Sequence, residues 1–313
     1  MPVARLMPHA KKILVTGGSG MIGTRLTEQL IRKGYEVSHL GRSVRRKDIA
    51  TFLWNPHENR IAQGVLRDID VIIHLAGAGI GDKRWNSKVK KEILRSRTDT
   101  TRLLKETLAA EAHQVSAFIS ASGTNYYGLE DPGRKFVESD GPGKDFMARV
   151  TVAWESEADN IARGGLRVVK IRTGFVLSSA AISLKRLTLP VKLFVGAALG
   201  SGRQFLSWIH VDDLCEIYIK AIEDVSMQGV YNAVAPNPVT NETMTREIAR
   251  VLNRPLWMPP VPGFIVKLIA GEVAEIVLKG GKISAEKIEA AGFDFQFRTI
   301  DKALEDLLAP RKP

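Results

Sequence analysis

A glycine-rich segment between an apolar strand and a helix constrains the fold of this chain more than any other feature. Lys12–Thr16 (KILVT) has the character of a buried strand and runs directly into residues 17–23 (GGSGMIG). A helical pattern follows over residues 21–33, and residues 36–40 resemble a second strand. This order of strand, tight turn, helix and strand is typical of the first unit of a dinucleotide-binding α/β fold.

The spacing of the glycines indicates what the turn binds. It satisfies both Gly-x-x-Gly-x-x-Gly and Gly-x-Gly-x-x-Gly. The tight turn needs positive φ, a side chain at Gly20 would keep a pyrophosphate from the backbone, and Gly23 lets the helix pack closely on the sheet. Free N–H groups and the helix dipole then hold phosphates; the alternative is a turn without a ligand. The expected contacts are Gly17, Gly18, Ser19, Gly20, Met21, Ile22 and Gly23.

The end of the second strand favours NADP over NAD. NAD sites usually place an acidic residue there, to bind the ribose 2′-hydroxyl. This chain has Arg42 and Ser43 instead, with further cations at residues 45–47. A guanidinium and a hydroxyl suit a 2′-phosphate, and no carboxylate repels it. A solvated basic loop is the alternative for these cations.

Apolar runs alternate with helical patterns through the first half of the chain, which predicts a doubly wound parallel sheet of the Rossmann type. The later strands and helices are expected at residues 70–75, 86–108, 117–120, Phe146–Arg163 and 166–171. The alternation ends near residue 175. We expect a flexible leader over residues 1–11, an NADP-binding domain over 12–175, and a smaller substrate-side lobe over 176–313. That lobe should have a helical tail and be partly interleaved with the first domain, with Gly229–Ala233 as a strand and residues 241–252 as a helix.

Composition narrows the environment and the partners. The single cysteine, Cys215, excludes an internal disulfide framework and a cysteine-rich zinc site, so a reducing, cytoplasmic setting is expected. The net charge of +11 allows nucleic-acid binding, but the basic clusters lack interleaved aromatics, and nucleotide phosphates are the preferred anion. The leader has no apolar core of a signal peptide. Residues 264–278 are apolar but too short and too charged to span a membrane.

An ordered series of motifs resembles a known family. The chain is similar to the extended short-chain dehydrogenase/reductases and, within them, to the YfcH-type epimerase family. The motifs are GGSGMIG, HLAGAGIGDKRW at 74–85, SASGTNYYG at 120–128, Trp154-Glu155, RTGFVL at 172–177, FLSWIHVDDL at 205–214 and YNAVAPNPVTN at 231–241. The resemblance implies an NADP-binding oxidoreductase or nucleotide-sugar epimerase, acting on a sugar nucleotide or carbonyl compound. It places the cofactor beside Leu75, Ala76 and Gly77. Arg97 is expected to reach a phosphate, with a surface salt bridge as the alternative.

The resemblance fails at the proton-transfer pair. Typical superfamily members use Tyr-x-x-x-Lys, where the lysine lowers the tyrosine pKa. None of the five tyrosines has a lysine four residues on. With Glu155 aligned to the glutamate that follows the usual lysine, Met147 and Thr151 occupy the two places. Ser122 stands where the superfamily has its substrate-binding hydroxyl, and Tyr126 is the candidate surrogate acid, with packing as the alternative role.

The missing pair leaves a second hypothesis open. The chain is then a non-catalytic NADP-dependent regulatory protein, in line with family relatives implicated in division. His74 is interpreted as a hydrogen-bonded strand-end histidine. His210, Asp212 and Asp213 suggest helix capping by the aspartates more strongly than a metal site, and no metal is expected.

Overall fold

The computed structural model describes residues 10–128, 130 and 133–309, so nearly all of the expected leader lies outside the described residues. Its strands are β1 (Lys12–Thr16), β2 (Glu36–Gly41), β3 (Ala50–Asn55), β4 (Arg60–Ile61), β5 (Val71–His74), β6 (Ala117–Gly123), β7 (Arg167–Thr173), β8 (Phe175–Leu177), β9 (Phe205–Leu206), β10 (Trp208–His210), β11 (Gly229–Ala233) and β12 (Val239–Thr240). Its helices are α1 (Met21–Arg32), α2 (Ser87–Ala110), α3 (Phe146–Arg163), α4 (Ile182–Lys192), α5 (Val211–Glu223), α6 (Asn241–Val251), α7 (Gly263–Ala270), α8 (Ala274–Leu278), α9 (Glu286–Ala290) and α10 (Ile300–Leu308). Short 3-10 turns lie at Pro56–Glu58, Thr124–Tyr127 and Gly271–Val273.

One large sheet organises these elements. Its strand order is β11-β7-β6-β5-β1-β2-β3-β4, and every neighbouring pair is parallel except β3 and β4. Strand β1 lies between β2 and β5, so the chain reverses its direction of winding at β1. Ligands of open α/β sheets bind at this reversal, beyond the carboxyl ends of the strands. The predicted doubly wound Rossmann architecture is confirmed.

Helices cover both faces of the sheet because its strands are apolar on both sides. Helices α1 and α5 pack together on one face, where Leu26, Leu30 and Tyr218 join the strand residues in one core cluster. Helices α2 and α3 pack together on the other face, where Leu103 and Leu104 belong to a second cluster. The first residues of α1 and the loop after β5 lie at the same edge of the sheet, because they follow the adjacent parallel strands β1 and β5.

The chain beyond β7 contributes to two parts of the molecule. Strand β11 pairs with β7 in the large sheet, and α5 packs on that sheet. In contrast, α4, α6 and α10 surround a separate cluster that contains Trp208, Met244 and Leu304. The boundary at residue 175 stays a prediction. Within the described residues, none of the helices combines the length and apolar character needed to span a bilayer.

Candidate cofactor and substrate site

The glycine turn after β1 lies against the loop that follows β5. Gly17 has φ of +69°, in the left-handed region that favours glycine, and a Cβ there would lie 2.9 Å from the backbone carbon of Leu75. The N–H groups of Leu75 and Ala76 both donate to the Thr16 hydroxyl at 3.2 Å. The two segments expected to contact a dinucleotide are thus adjacent.

Gly20 and Gly23 are required for different reasons. A Cβ on Gly23 would lie 2.3 Å from the Gly17 carbonyl oxygen, so a side chain there is excluded by the fold itself. A Cβ on Gly20 would meet only that same oxygen, at 3.2 Å, and the Gly20 φ of −76° suits any residue. Within the part of the chain that the structure describes, no side chain caps the first turn of α1. The backbone donors of that turn fit a phosphate ligand, and a Cβ on Gly20 would intrude on it.

His39 supports the turn from the second strand, a role that the sequence analysis missed. A Cβ on Gly18 would lie 2.5 Å from the imidazole ring, so the ring is in direct contact with the turn. The Nε2 atom of His39 is 2.9 Å from the Thr27 hydroxyl. Burial, and secondly the charge of Arg46, lower the His39 pKa. A neutral imidazole therefore fixes the spacing between β2 and the glycine turn.

Arg42 and Ser43 follow the end of β2 and are both exposed. Among the ion pairs of the described chain none involves Arg42, whereas the neighbouring Arg46 is bound to Asp48 at 2.5 Å. Arg45 and Lys47 also take part in no ion pair of the described residues, and Arg42 is the one of these three cations that directly follows the last residue of β2. Its position, one strand away from the glycine turn, is where the ribose of a bound dinucleotide would lie.

Arg97 is partly buried in α2 beneath the loop after β5. Its guanidinium donates to the carbonyl oxygens of Ile93 at 2.9 Å and Ala78 at 3.1 Å, and it lies over the Trp154 ring at 5.2 Å. A Cβ on Gly77 would lie 3.3 Å from its Cζ. Burial lowers the Arg97 pKa to about 10. The surface salt bridge considered as the alternative is wrong, since none of the ion pairs in residues 10–128, 130 and 133–309 includes Arg97.

Ser122 belongs to a buried network that sequence reasoning missed. Its hydroxyl donates to Glu155 Oε1 at 2.6 Å, and Arg172 forms a two-pronged ion pair with the same carboxylate, with both distances 2.8 Å. All three side chains are buried. The charged residues of the Trp154-Glu155 and RTGFVL motifs therefore bind each other and join α3 to β7. Charges within otherwise apolar segments were the available signal.

Tyr126 and Tyr127 occupy the 3-10 turn beyond β6 and differ in their contacts. The Arg172 guanidinium stacks on the Tyr126 ring, 3.4 Å from its centroid. The Tyr127 hydroxyl donates to Asn232 at 2.7 Å and accepts from Arg172 at 3.0 Å. Burial raises the Tyr127 pKa to about 12. Tyr127 is thus a structural residue, whereas Tyr126 is only partly buried and its ring faces a cation.

The two positions that the resemblance assigns to the proton-transfer pair hold uncharged residues that are closed from solvent. Met147 and Thr151 lie one turn apart on α3 with exposures of 4% and 2%. The Thr151 hydroxyl donates to the Met147 carbonyl at 2.9 Å. Met147 belongs to an apolar cluster to which Trp85, of the loop after β5, and Ile276, of α8, also contribute. A titrating group is therefore absent from both places.

His74 is interpreted correctly from the sequence. Its Nδ1 atom is 2.7 Å from the Thr16 hydroxyl and its Nε2 atom is 3.1 Å from the Thr101 hydroxyl. Burial, and secondly the charge of Arg97, lower the His74 pKa to about 3. The ring is a neutral bridge between β1, β5 and α2.

Capping by the two aspartates of IHVDDL is wrong. The cap of α5 is His210, whose Nδ1 accepts from the Asp212 N–H at 3.1 Å. Asp212 instead binds Arg25 of α1, and Asp213 accepts the backbone N–H groups of residues 296 and 297 at 2.8 and 3.0 Å. Both aspartates therefore bind groups outside α5, and these groups become their neighbours only when the chain folds. In the described part of the chain no group of three or more His, Cys, Asp or Glu side chains could hold a metal ion.

The parallel sheet, its reversal at β1 and the glycine turn define a Rossmann-type fold of the short-chain dehydrogenase/reductase kind. The chain belongs to the NAD dependent epimerase/dehydratase family, whose model matches residues 13–233, and a domain of unknown function, DUF1731, matches residues 261–307. The epimerase family protein YfhF of Bacillus subtilis is 35% identical over 96% of this chain and 99% of its own. The epimerase family protein SDR39U1 of Mus musculus is 35% identical over 95% of this chain and 100% of its own.

A solved structure extends the comparison to three dimensions. Human SDR39U1 (isoform 2) with NADPH superposes with a TM-score of 0.84 and 30% sequence identity, covering 95% of this chain and 98% of that one. The predicted resemblance to the epimerase family is confirmed.

Proposed function

We propose that this chain binds NADP(H) across the carboxyl edge of its sheet. The observation that carries the proposal is Gly20, where a Cβ would press on a single atom of the fold, the Gly17 carbonyl oxygen at 3.2 Å, but would exclude a phosphate bound against the first turn of α1. The NADPH in the human relative's structure supports the same choice. Residues 17–23 would hold the diphosphate by their backbone, and Arg42 with Ser43 would bind the 2′-phosphate.

The loop after β5 would complete the cofactor site. Leu75, Ala76 and Gly77 lie beside the glycine turn, and Arg97 lies directly under Gly77. A partly buried guanidinium without a carboxylate partner costs free energy unless an anion neutralises it. The negative charge of a bound diphosphate would offset part of that cost. The hydrogen bonds from the Arg97 guanidinium to the two carbonyl oxygens would stay in place.

We further infer an oxidoreductase or epimerase activity on a small carbonyl compound or sugar nucleotide. When bound, the nicotinamide supplies hydride chemistry. Tyr126 is the tyrosine of the β6 loop whose hydroxyl has no hydrogen bond among the described contacts, so it is the candidate proton donor to a substrate oxygen. The Arg172 guanidinium lies on one face of its ring and fixes the orientation of that ring. Ser122 would help to position this loop through its hydrogen bond to Glu155.

A second candidate function is a non-catalytic NADP(H)-dependent regulator. The observation in its favour is that Met147 and Thr151 are buried where the proton-transfer pair is expected, while the Ser122 hydroxyl already binds Glu155. In such a protein the cofactor sets a conformation or a partner surface and is not consumed.

One experiment separates these candidates. Purified protein with NADPH, and separately with NADP⁺, is incubated with aldehydes, ketones and sugar nucleotides, while cofactor absorbance and product stereochemistry are followed. The enzyme proposal expects turnover that Tyr126→Phe reduces by about 100-fold, as loss of a general acid does, with unchanged NADPH affinity. Turnover that Tyr126→Phe leaves intact contradicts the role of Tyr126. Tight NADPH binding without any turnover favours the regulator.

A further inference from the structure

Helix α7 (Gly263–Ala270) is apolar on nearly all sides and yet lies at the surface. Its sequence is GFIVKLIA, and Val266 is its only buried residue. Phe264, Leu268 and Ile269 have exposures of 72%, 73% and 72%. A helix that is apolar all round is normally buried, and a cluster of exposed large apolar side chains marks an interaction site. We call Phe264, Leu268 and Ile269 the α7 patch.

The α7 patch is held in place by contacts at both ends of its helix. Before α7, the Val261 N–H donates to the Ala198 carbonyl at 2.8 Å. At its C-terminal end Gly271 packs against the Arg84 guanidinium, which a Cβ on Gly271 would approach to 3.1 Å. The outward-facing side chains are therefore presented on a fixed helix, which lowers the ordering cost of binding.

Cations accompany this apolar surface. Lys267 lies on α7 itself, within one turn of Phe264 and Leu268, and its side chain is 54% exposed. Glu275 is shared by Lys267 at 2.7 Å and Lys279 at 2.6 Å, so this trio carries a net charge of about +1. Trp257, in the segment that leads into α7, is 67% exposed. Exposed aromatic and aliphatic groups with lysines at their edge match the interface of an anionic bilayer.

We propose that the α7 patch docks the protein reversibly on an anionic lipid surface. A second copy of the chain fits less well, because a two-fold interface would bury the same patch of both copies and would gather two sets of the net positive Lys267, Glu275 and Lys279 side chains in one interface. The net charge of +11 attracts the whole molecule to the same surface. The helix would lie in the plane of the headgroups with its apolar side chains inserted, and the lysine ammonium groups would face the phosphates.

The test is co-sedimentation of the purified full-length protein with vesicles. Vesicles of phosphatidylcholine alone are compared with vesicles of phosphatidylcholine mixed with phosphatidylglycerol, at low and high salt. The proposal expects binding to the anionic vesicles and a marked loss of binding at high salt. Equal binding to both kinds of vesicle, or no binding to either, overturns it.

Variants locate the binding surface. Phe264→Ser combined with Leu268→Ser should reduce vesicle affinity by about tenfold or more, because their apolar area no longer leaves water. Lys267→Gln should reduce it by roughly fivefold, the effect of one cation near an anionic surface. Val225→Ser is the matched control, because Val225 is also apolar and 73% exposed but lies between α5 and β11. Its affinity should be unchanged.

Two further measurements keep the outcomes distinct. NADPH affinity and melting temperature should be unaffected in the α7 variants, which separates loss of lipid binding from loss of fold. Sedimentation velocity without lipid should give the same mass for wild type and variants. A wild-type dimer that Phe264→Ser with Leu268→Ser converts to a monomer overturns the proposal in favour of a second copy.

Discussion

At the residue scale, Gly20→Ala and Gly23→Ala, in the same turn, are predicted to have different effects: the first on NADPH affinity and the second on the stability of the fold. Gly20→Ala should change the free energy of unfolding by less than about 1 kcal/mol, because its Cβ meets only one atom, at 3.2 Å. Its NADPH affinity should fall by about tenfold or more, roughly 1.4 kcal/mol, because the methyl group displaces the phosphates. Titration calorimetry and urea unfolding measure the two effects.

The controls for this pair lie in the same chain. Gly23→Ala should destabilise the fold by more than about 1 kcal/mol, since its Cβ would be 2.3 Å from a carbonyl oxygen. A Cβ on Gly141 would have no atom of the described residues within 4 Å, so Gly141→Ala should change neither quantity beyond the backbone effect. Unaltered NADPH affinity in Gly20→Ala would show that phosphates do not bind at this turn.

His74 gives a prediction for the pH dependence of stability. The His74 pKa of about 3 in the folded chain lies below the usual value of about 6.5. Between these two pH values the His74 ring is therefore protonated in the unfolded chain and neutral in the folded chain. The stabilisation is complete above about pH 6.5 and is lost, by about 1.4 kcal/mol per pH unit, as the pH falls towards 3. Urea unfolding of wild type and His74→Gln between about pH 7 and pH 5 should show a shallower slope in the variant.

The control for His74 is the exposed His57. His57→Gln should reproduce the wild-type slope. Burial also lowers the pKa values of His39 and His210, but both residues remain in each protein, so their contributions cancel in the comparison. Identical slopes for wild type and His74→Gln would mean that His74 does not stay neutral in the fold.

At the scale of elements, the joint between α3 and β7 depends on the buried pair Glu155–Arg172. Glu155→Gln leaves the Arg172 charge buried without its carboxylate, which should cost about 3–5 kcal/mol of unfolding free energy. Glu157→Gln on the same helix breaks a pair with the half-exposed Arg102 and should cost at most about 1 kcal/mol. Equal losses in the two variants, measured by urea unfolding, would contradict the importance of the buried pair.

Local sequence signals specify some elements better than others. Strand β1, helix α3 (Phe146–Arg163) and strand β11 (Gly229–Ala233) match the predicted bounds, because apolar periodicity and caps such as Asp145 lie within each segment. Strands β3 and β4 were not predicted, since a sheet edge with mixed exposure lacks a clean alternation. The partners of Glu155 and of Asp213 lie 17 and 83 residues away, so only the folded chain reveals them.

The site shows the same division between local and long-range information. The glycine turn and Arg42 are readable from the sequence because their chemistry depends on adjacent residues. The contacts of His39 with Gly18 and of Arg97 with Gly77 depend on how β2 and α2 pack, which no local pattern encodes. The aspartates after His210 were misassigned as caps for the same reason: their partners come from α1 and from the tail.

At the scale of the whole molecule, NADPH should stabilise the fold by mass action. A ligand that binds only the folded state adds about 2.7 kcal/mol at a free concentration of 100 times its Kd. The melting temperature should therefore rise with NADPH concentration, and it should rise less with NADH, which lacks the 2′-phosphate. Differential scanning fluorimetry checks this ranking. Equal shifts for the two cofactors would remove the basis for preferring NADP(H).

Titration calorimetry of NADPH and NADH with wild type, Arg42→Asp and Lys302→Asp tests the cofactor site most directly. Lys302, on α10 and exposed, is the matched charge-reversal control. We expect that NADPH binds more tightly than NADH, that Arg42→Asp weakens NADPH binding by at least about tenfold while affecting NADH binding less, and that Lys302→Asp changes neither affinity. No measurable NADPH binding to the wild type, or unchanged NADPH affinity in Arg42→Asp, would contradict this expectation.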